Sequence, residues 1–413
     1  MTTALTSASV ASPLVREPWF ARPAARTWTC PPAPCDVAAF HKALPGYART
    51  PLAELPALAA ELGVGRVFVK DESHRLGLPA FKILGASWGV YRALCDHYDL
   101  PLSAGVGGAP VGARSGARVV VRGGARVGDP LDPLDRLRER IGAEPPVRLV
   151  TATDGNHGRA VAAMARLLGL AADVFVPDGV HPAAFDAIKA EGARVTRIAA
   201  PYDEAVRRAA RAAGTSALLI QDTGWPGYER APRWIVEGYS TLFAEIDEQL
   251  RAAGAEPAGL VAVPAGVGSL AQAAVTHYRA ERAERAGQDA PTLLSVEPEA
   301  APCVLTSLLH DRPTTVETGS TIMAGLNCAT PSGLAWPVLR AGVDAAVAVP
   351  DAAAVRAVQD LAALGVPAGP CGAASLAGVR AALTPDRRSV LAPGHASTVV
   401  LLSTEGPAAN PAL

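Results

Sequence analysis

Three separated segments of this 413-residue chain carry residue types that could do chemistry. The first is Ala80-Phe81-Lys82-Ile83-Leu84-Gly85-Ala86, downstream of Lys70-Asp71-Glu72-Ser73. Lys82 stands among apolar neighbours where a loop enters a helix. Desolvation there lowers a lysine's pKa, and a neutral amine is the form that builds a Schiff base with a carbonyl. A helix-start lysine reaching back to solvent has the same local pattern. The second segment is Thr153-Asp154-Gly155-Asn156-His157-Gly158. Its glycines let the backbone turn tightly and present N–H groups at a helix start, a seat for a carboxylate or phosphate. Asn156 offers both a donor and an acceptor to a ring hydroxyl. An ordinary Asp/Asn/Gly turn would read alike. The third is Pro264-Ala265-Gly266-Val267-Gly268-Ser269-Leu270. A Gly-x-Gly turn opening a helix is an anion cradle of backbone N–H groups, to which Ser269 adds a hydroxyl. It is not a Walker loop, because no Gly-Lys-Ser/Thr follows, and the third glycine of a dinucleotide fingerprint is missing. Alone, it is also a plain tight turn.

These segments need strands and helices to bring them together, and the pattern supplies both. Apolar runs predict strands at 66–69, 148–151, 172–176, 194–198, 217–221, 259–263, 292–296, 345–349 and 398–402. Helical spacing predicts helices at 81–95, 159–168, 182–191, 204–213, 270–282, 352–364 and 373–383. Short buried strands, most of them followed by helices, imply an α/β protein with mainly parallel sheets covered on both faces. Residues 1–35 are rich in Ala, Pro, Ser and Thr and read as a mobile or wrapped arm, with Trp19, Phe20 and Trp28 suggesting that part of it packs. The Gly- and Arg-rich stretch 104–132 reads as a surface insertion, or else as a flap or interface arm.

Composition narrows the class. The formal net charge of −1 argues against a broad electrostatic footprint for nucleic acid or membrane. No uninterrupted apolar run is long enough to span a bilayer, and residues 1–12 lack a signal-peptide plan, so a cytoplasmic location is expected. The six cysteines show neither C-x-x-C nor zinc-ligand spacing, so they read as reduced and no metal is expected.

Lysine first, Gly-Asn-His-Gly next and a Gly-rich turn past the middle is an order that resembles the fold-type-II enzymes of pyridoxal 5'-phosphate (PLP). That superfamily includes threonine and serine dehydratases and cysteine synthases. Further segments narrow the resemblance to the diaminopropionate ammonia-lyase family. They are Gly46-Tyr47-Ala48-Arg49-Thr50-Pro51-Leu52, the run from Val69 to Leu78, Gln221-Asp222-Thr223-Gly224-Trp225, Glu237-Gly238-Tyr239, Thr321-Ile322-Met323-Ala324-Gly325-Leu326 and Leu402-Ser403-Thr404-Glu405-Gly406. The match covers roughly residues 38–406.

The resemblance implies a two-lobed α/β fold with PLP in the interlobe cleft. It implies a large unit of 36–87 plus 202–413, a small unit of 88–201 holding the insertion, and a homodimer. Lys82 then holds the cofactor as a Schiff base beside Phe81. Gly266, Val267, Gly268, Ser269 and Leu270 cradle its phosphate, Asn156 faces its hydroxyl, and Ser403 or Thr404 meets its ring nitrogen. Thr153, Asp154, Gly155, Asn156 and His157 are expected to receive the substrate. Lys82, or Asp154 for the opposite enantiomer, removes the α-proton, and Asp222 lies nearby. Asp154 also suits a helix N-cap, and Asp222 a strand-end turn. The implied reaction is β-elimination of 2,3-diaminopropionate to pyruvate and ammonia. The family carries cysteines in the segments holding Cys303 and Cys328, which approach each other, or bond, near the site mouth; a reducing cytosol argues against a permanent bond. Two departures leave the leaving group open: the long 104–132 insertion, and Pro407 where the family commonly has an acidic residue. The alternatives are another β-eliminase, of the serine or threonine dehydratase type, or a β-replacement synthase. An intact Lys82 argues against a non-catalytic relative.

Overall fold

A computed structural model describes residues 19–34, 36–102, 133–200, 202–281, 290–391 and 397–409. The 104–132 insertion and the first half of the arm lie outside these residues. The strands are covered on both faces at the centre of each sheet, where runs of Val, Leu, Ile and Ala form them as parallel sheets require, and stay partly exposed at the edges. In chain order they are β1 (Trp19–Ala21), β2 (Leu52–Glu54), β3 (Arg66–Asp71), β4 (Arg148–Ala152), β5 (Ala171–Pro177), β6 (Arg194–Ile198), β7 (Ala217–Leu219), β8 (Ala258–Pro264), β9 (Thr292–Pro298), β10 (Ala345–Val349) and β11 (Thr398–Ser403). One sheet has the order β1-β10-β9-β8-β11-β3-β2, the other β6-β5-β4-β7. The smaller sheet is parallel throughout; in the larger one only the edge strands β1 and β2 pair antiparallel. In β11, Val399 and Leu401 join one apolar core, while Val400 and Leu402 join the other. The period-2 alternation of a strand thus serves both faces.

Two sequence expectations change. The resemblance places 202–221 in the large unit, yet β7 pairs with β4 in parallel, Arg148 opposite Ala217. A parallel strand needs a crossover before it can return to its sheet. The helix Tyr202–Ala212 is that crossover, so the small sheet's chain runs on through Leu219. Within the arm, Trp19–Ala21 adds an edge strand to β10, Trp19 opposite Val347, and Trp28 packs over Gly342. The helix expected at 270–282 ends at Tyr278. Helices Arg230–Gly238 and Ser240–Ala252 fill a stretch that periodicity left unassigned, because Pro232 and Gly238 interrupt it.

Helix Arg230–Gly238 crosses helix Lys82–His97 at backbone contact. A Cβ on Gly238 would lie 2.5 Å from the Leu84 carbonyl oxygen, and one on Gly85 would lie 2.5 Å from the Tyr239 ring. Only glycine at both positions permits this approach. From the other side, His41 on helix Val37–Ala43 grips the same turn: its Nε2 lies 2.9 Å from the Leu84 carbonyl and its Nδ1 2.7 Å from Thr241 Oγ1. A carbonyl only accepts, so Nε2 carries the proton and Nδ1 accepts from the hydroxyl.

Burial lowers the His41 pKa from 6.5 to about 3. Between those values the unfolded ring takes up a proton and the folded one does not. Its stabilising contribution is therefore full above pH 6.5 and is lost as pH falls toward 3. His41→Gln, which cannot titrate, should shed about 2 kcal/mol of the wild type's stability loss between pH 7 and pH 5. Urea unfolding at both pH values measures this, and identical pH profiles for the two proteins would refute it.

Candidate active site

The first catalytic candidate is delivered by a loop locked through buried charge. After β3 the chain turns through Glu72 and Arg75 before reaching Phe81, with Leu76 and Gly77 at positive φ. Arg75 makes a two-point contact with Glu72 at 2.6 and 2.8 Å and another with Glu245 at 2.8 Å on each arm. Lys70 adds contacts of 2.7 Å to Glu245 and 2.9 Å to the Thr50 carbonyl. Burial would raise the Glu245 carboxyl, but Arg75 and Lys70 outweigh it and hold its pKa at about 2. The loop then docks on β11's end: the Phe81 N–H donates to the Thr404 carbonyl at 3.1 Å and that of Gly406 to the Pro79 carbonyl at 2.9 Å.

Lys82 opens its helix, half-buried, with Nζ 2.8 Å from Asp222 Oδ2 and 5.7 Å from the centre of the Phe81 ring. The apolar neighbours lead one to expect a lowered lysine pKa; the structure reverses this. Burial does push it down, but Asp222, Tyr239 and Asp154 together outweigh burial and raise the pKa above its ordinary value. A carboxylate in direct contact dominates desolvation. Burial likewise opposes the Asp222 anion, while His157 and Lys82 outweigh it and hold its pKa below the carboxylate range. Asp222 is more than a turn residue, since it stands buried between Lys82 and His157 Nδ1, the latter at 3.9 Å. The His157 Nε2–H donates to the Ile220 carbonyl at 2.8 Å, and burial lowers that ring's pKa.

At the start of helix Asn156–Leu168 the cap is not Asp154. Thr153 Oγ1 accepts the N–H groups of Gly155 and Gly158, both at 3.0 Å, and so satisfies the helix start. Asp154 is left exposed. Its pKa is raised by partial dehydration, opposed by Lys82 and aided by Asp222. Asn156 donates from Nδ2 to Glu405 Oε2 at 2.8 Å.

The Gly266–Gly268 turn links β8 to helix Ser269–Tyr278, with Gly268 at φ 95°. A Cβ on Gly266 would lie 2.9 Å from Cys328 Sγ and 3.1 Å from the Gly325 carbonyl oxygen. The bare backbone of this turn is therefore required by its surroundings. The Val267 carbonyl accepts from the Ser332 N–H at 2.8 Å. Ser269 Oγ lies 3.4 Å from the Asp222 carbonyl, and Leu270 is buried in the core. Cys303 and Cys328 are free thiols on either side of Gly266, with Cys303 Sγ 3.5 Å from its carbonyl oxygen. Both thiols lie against Gly266, and no disulfide joins them.

Ser403, at the end of β11, is fully buried, and its Oγ has no hydrogen-bond partner among the described residues. Thr404 is buried beside it. An orphaned hydroxyl, a side-chain-free anion cradle and a paired lysine fit a phosphorylated pyridine aldehyde: a donor for its ring nitrogen, N–H groups for its phosphate and an amine for its carbonyl. Sequence reasoning assigned no role to Glu405 or to Tyr239, whose buried hydroxyl is also unpartnered among the described residues. Glu405 had a signal, being an acid two residues past a fully buried strand. Tyr239 reaches the site only through the crossing of two helices. Among the described residues no group of three or more His, Cys, Asp or Glu could hold a metal, and no helix is long and apolar enough to cross a membrane.

Comparison with known proteins agrees with this chemistry. Residues 133–404 match the family model described as "Pyridoxal-phosphate dependent enzyme". The chain is similar to the diaminopropionate ammonia-lyase of Salmonella typhimurium, 37% identical over 329 residues that cover 78% of this chain and 74% of that protein. The Escherichia coli protein of the same name is 34% identical over 382 residues, covering 89% and 86%. The crystal structure of the E. coli enzyme in complex with D-serine superposes with a TM-score of 0.77 at 30% identity, covering 92% of each chain. Maize serine racemase, at 23% identity and a TM-score of 0.65 over 90% of this chain and 92% of its own, shares the fold.

Gly266→Ala should weaken PLP affinity about tenfold by pushing the turn away from Cys328 and Gly325, and Cys328→Ala in the same chain should restore part of it. Equilibrium dialysis against PLP reads both effects. Wild-type affinity in Gly266→Ala would remove the cradle assignment.

Proposed function

Because the chain belongs to the diaminopropionate ammonia-lyase family of PLP-dependent enzymes, we propose that it cleaves 2,3-diaminopropionate by β-elimination, consuming one water and releasing pyruvate and two ammonia. Its two α/β sheets, largely parallel and flanked by helices, form the fold-type-II architecture of that group. The observation that carries the reading is the trio of Lys82, Asp222 and Asp154. It couples one amine to two carboxylates, one of them in contact and the other open to solvent.

Bound through Lys82, PLP supplies an electron sink for charge developing at the substrate's α-carbon. The chain's own groups do the rest. The N–H groups of Gly266, Val267, Gly268, Ser269 and Leu270 hold the phosphate, with Ser269's hydroxyl beside them. Asn156 meets the ring hydroxyl, and Ser403 or Thr404 the ring nitrogen. A neutral hydroxyl at that nitrogen does not hold it protonated. Thr153, Gly155, Asn156 and His157 receive the substrate carboxylate at a helix start. The Lys82 amine accepts the α-proton of one enantiomer and Asp154 that of the other. Asp222 steadies Lys82 once it is protonated, at the 2.8 Å contact already described. Asp154 and Asp222 together favour a substrate that carries a second, cationic amine. The catalytic cleft lies between the large unit and a small unit that we extend from 88–201 to take in β7.

We also infer a homodimer in a reducing, cytoplasmic setting, supported by the family and by the free thiols at Cys30, Cys95, Cys303, Cys328 and Cys371. Multi-angle light scattering should give twice the chain mass at micromolar concentration; a monomer would reject the dimer. For the reaction, pyruvate release should be fastest with diaminopropionate. Lys82→Ala should abolish it. Asp154→Asn should lose about a hundredfold or more on the D-isomer while the L-isomer stays within a few fold. Faster turnover of serine would favour a dehydratase, a new amino acid in the presence of a nucleophile would favour a synthase, and equal loss for both isomers would reject the role given to Asp154.

A further inference from the structure

Glu405 sits two residues past β11, 3% exposed, and is held from three directions. Its Oε1 accepts the Cys371 N–H at 3.3 Å, in the first turn of helix Pro370–Ala382, and the Cys371 thiol also donates to its carboxyl. Its backbone carbonyl accepts the Gly369 N–H at 2.9 Å. A Cβ on Gly369 would lie 3.1 Å from Glu405 Cγ, so the side chain fills its seat. Its Oε2 is left to take the Asn156 Nδ2–H at 2.8 Å, which is the one hydrogen bond of that amide among the described residues.

This contact spans the molecule. Asn156 follows β4 of the small sheet, and Glu405 follows β11 of the large one. A side-chain amide has two orientations, differing by a flip. With a carboxyl oxygen opposite, the flipped form sets two acceptors face to face. The carboxyl therefore selects the orientation with Nδ2 toward Glu405, leaving one N–H and Oδ1 of defined direction. We propose that Glu405 is a positioning residue that fixes the Asn156 amide for the ring hydroxyl of PLP and ties the two sheets together at that point. The inference rests on the reading of Asn156 as facing the cofactor.

The test uses purified protein stripped of PLP and reloaded. Glu405→Met keeps the bulk and removes the acceptor. It should weaken PLP about five- to tenfold by equilibrium dialysis and shift the visible absorption of the bound cofactor with pH. Asn156→Ala should do the same, and the double variant should be no worse than either single one. Glu405→Gln keeps an acceptor oxygen and should stay within about twofold of wild type. If Glu405→Met does not fold, as judged by circular dichroism, Glu405→Ala takes its place in the same cycle. Wild-type affinity and spectrum in the Glu405 variant, or losses that multiply in the double variant, overturn the inference. An Asn156→Ala protein that binds and absorbs like wild type would instead overturn the cofactor-facing reading of Asn156, a separate failure.

Discussion

Four buried charges hold the geometry on which the site depends. Lys70 and Arg75 face Glu72 and Glu245 with almost no access to water, and the hydrogen-bonding groups of Thr50 and Tyr47 complete the set. Such a network is weak evidence of stability, because desolvating each ion offsets most of the attraction. Its value is directional. Removing one partner leaves an unpaired buried charge at a cost of about 3–5 kcal/mol, so the loop has one acceptable arrangement. That arrangement carries the chain from β3 across to the end of β11 and starts the next helix at Lys82.

The same rule of opposed desolvation and pairing governs the candidate site itself. Lys82 and Asp222 come from different parts of the chain and meet at 2.8 Å, each shifting the other toward its charged form. Asp154 has no such contact among the described residues and moves the other way, toward the neutral form. Two carboxylates that act on one amine thus shift in opposite directions, which is the condition for giving them different tasks. Thr153 makes this arrangement workable, since by capping the helix it leaves the Asp154 side chain uncommitted.

Close backbone approach is the second device. Gly85 against Gly238 lets the Lys82 helix lie on its neighbour, and Gly266 beneath Cys328 keeps the anion turn open. At neither place is a side chain tolerated. One glycine contact lies in the helix that Lys82 opens and the other in the Gly266–Gly268 turn itself, so a packing error at either would shift a candidate group directly.

Much of this was legible in the residues before any coordinates. Apolar runs and their periodicity determined an α/β protein with parallel sheets, because burial of both strand faces leaves a direct mark on composition. Lys82, the Thr153–Gly158 turn and the Gly266–Leu270 turn stood out as candidates because their residue types and chain order resemble those of PLP enzymes. What tertiary structure alone decided is which groups touch. The sign of the Lys82 pKa shift, the membership of β7 in the small sheet and the hold of Glu405 on Asn156 each depend on residues 69 to 249 positions apart. A sequence records the character of each side chain, whereas an electrostatic shift or a hydrogen bond belongs to a pair, and the pair exists only once the chain has closed.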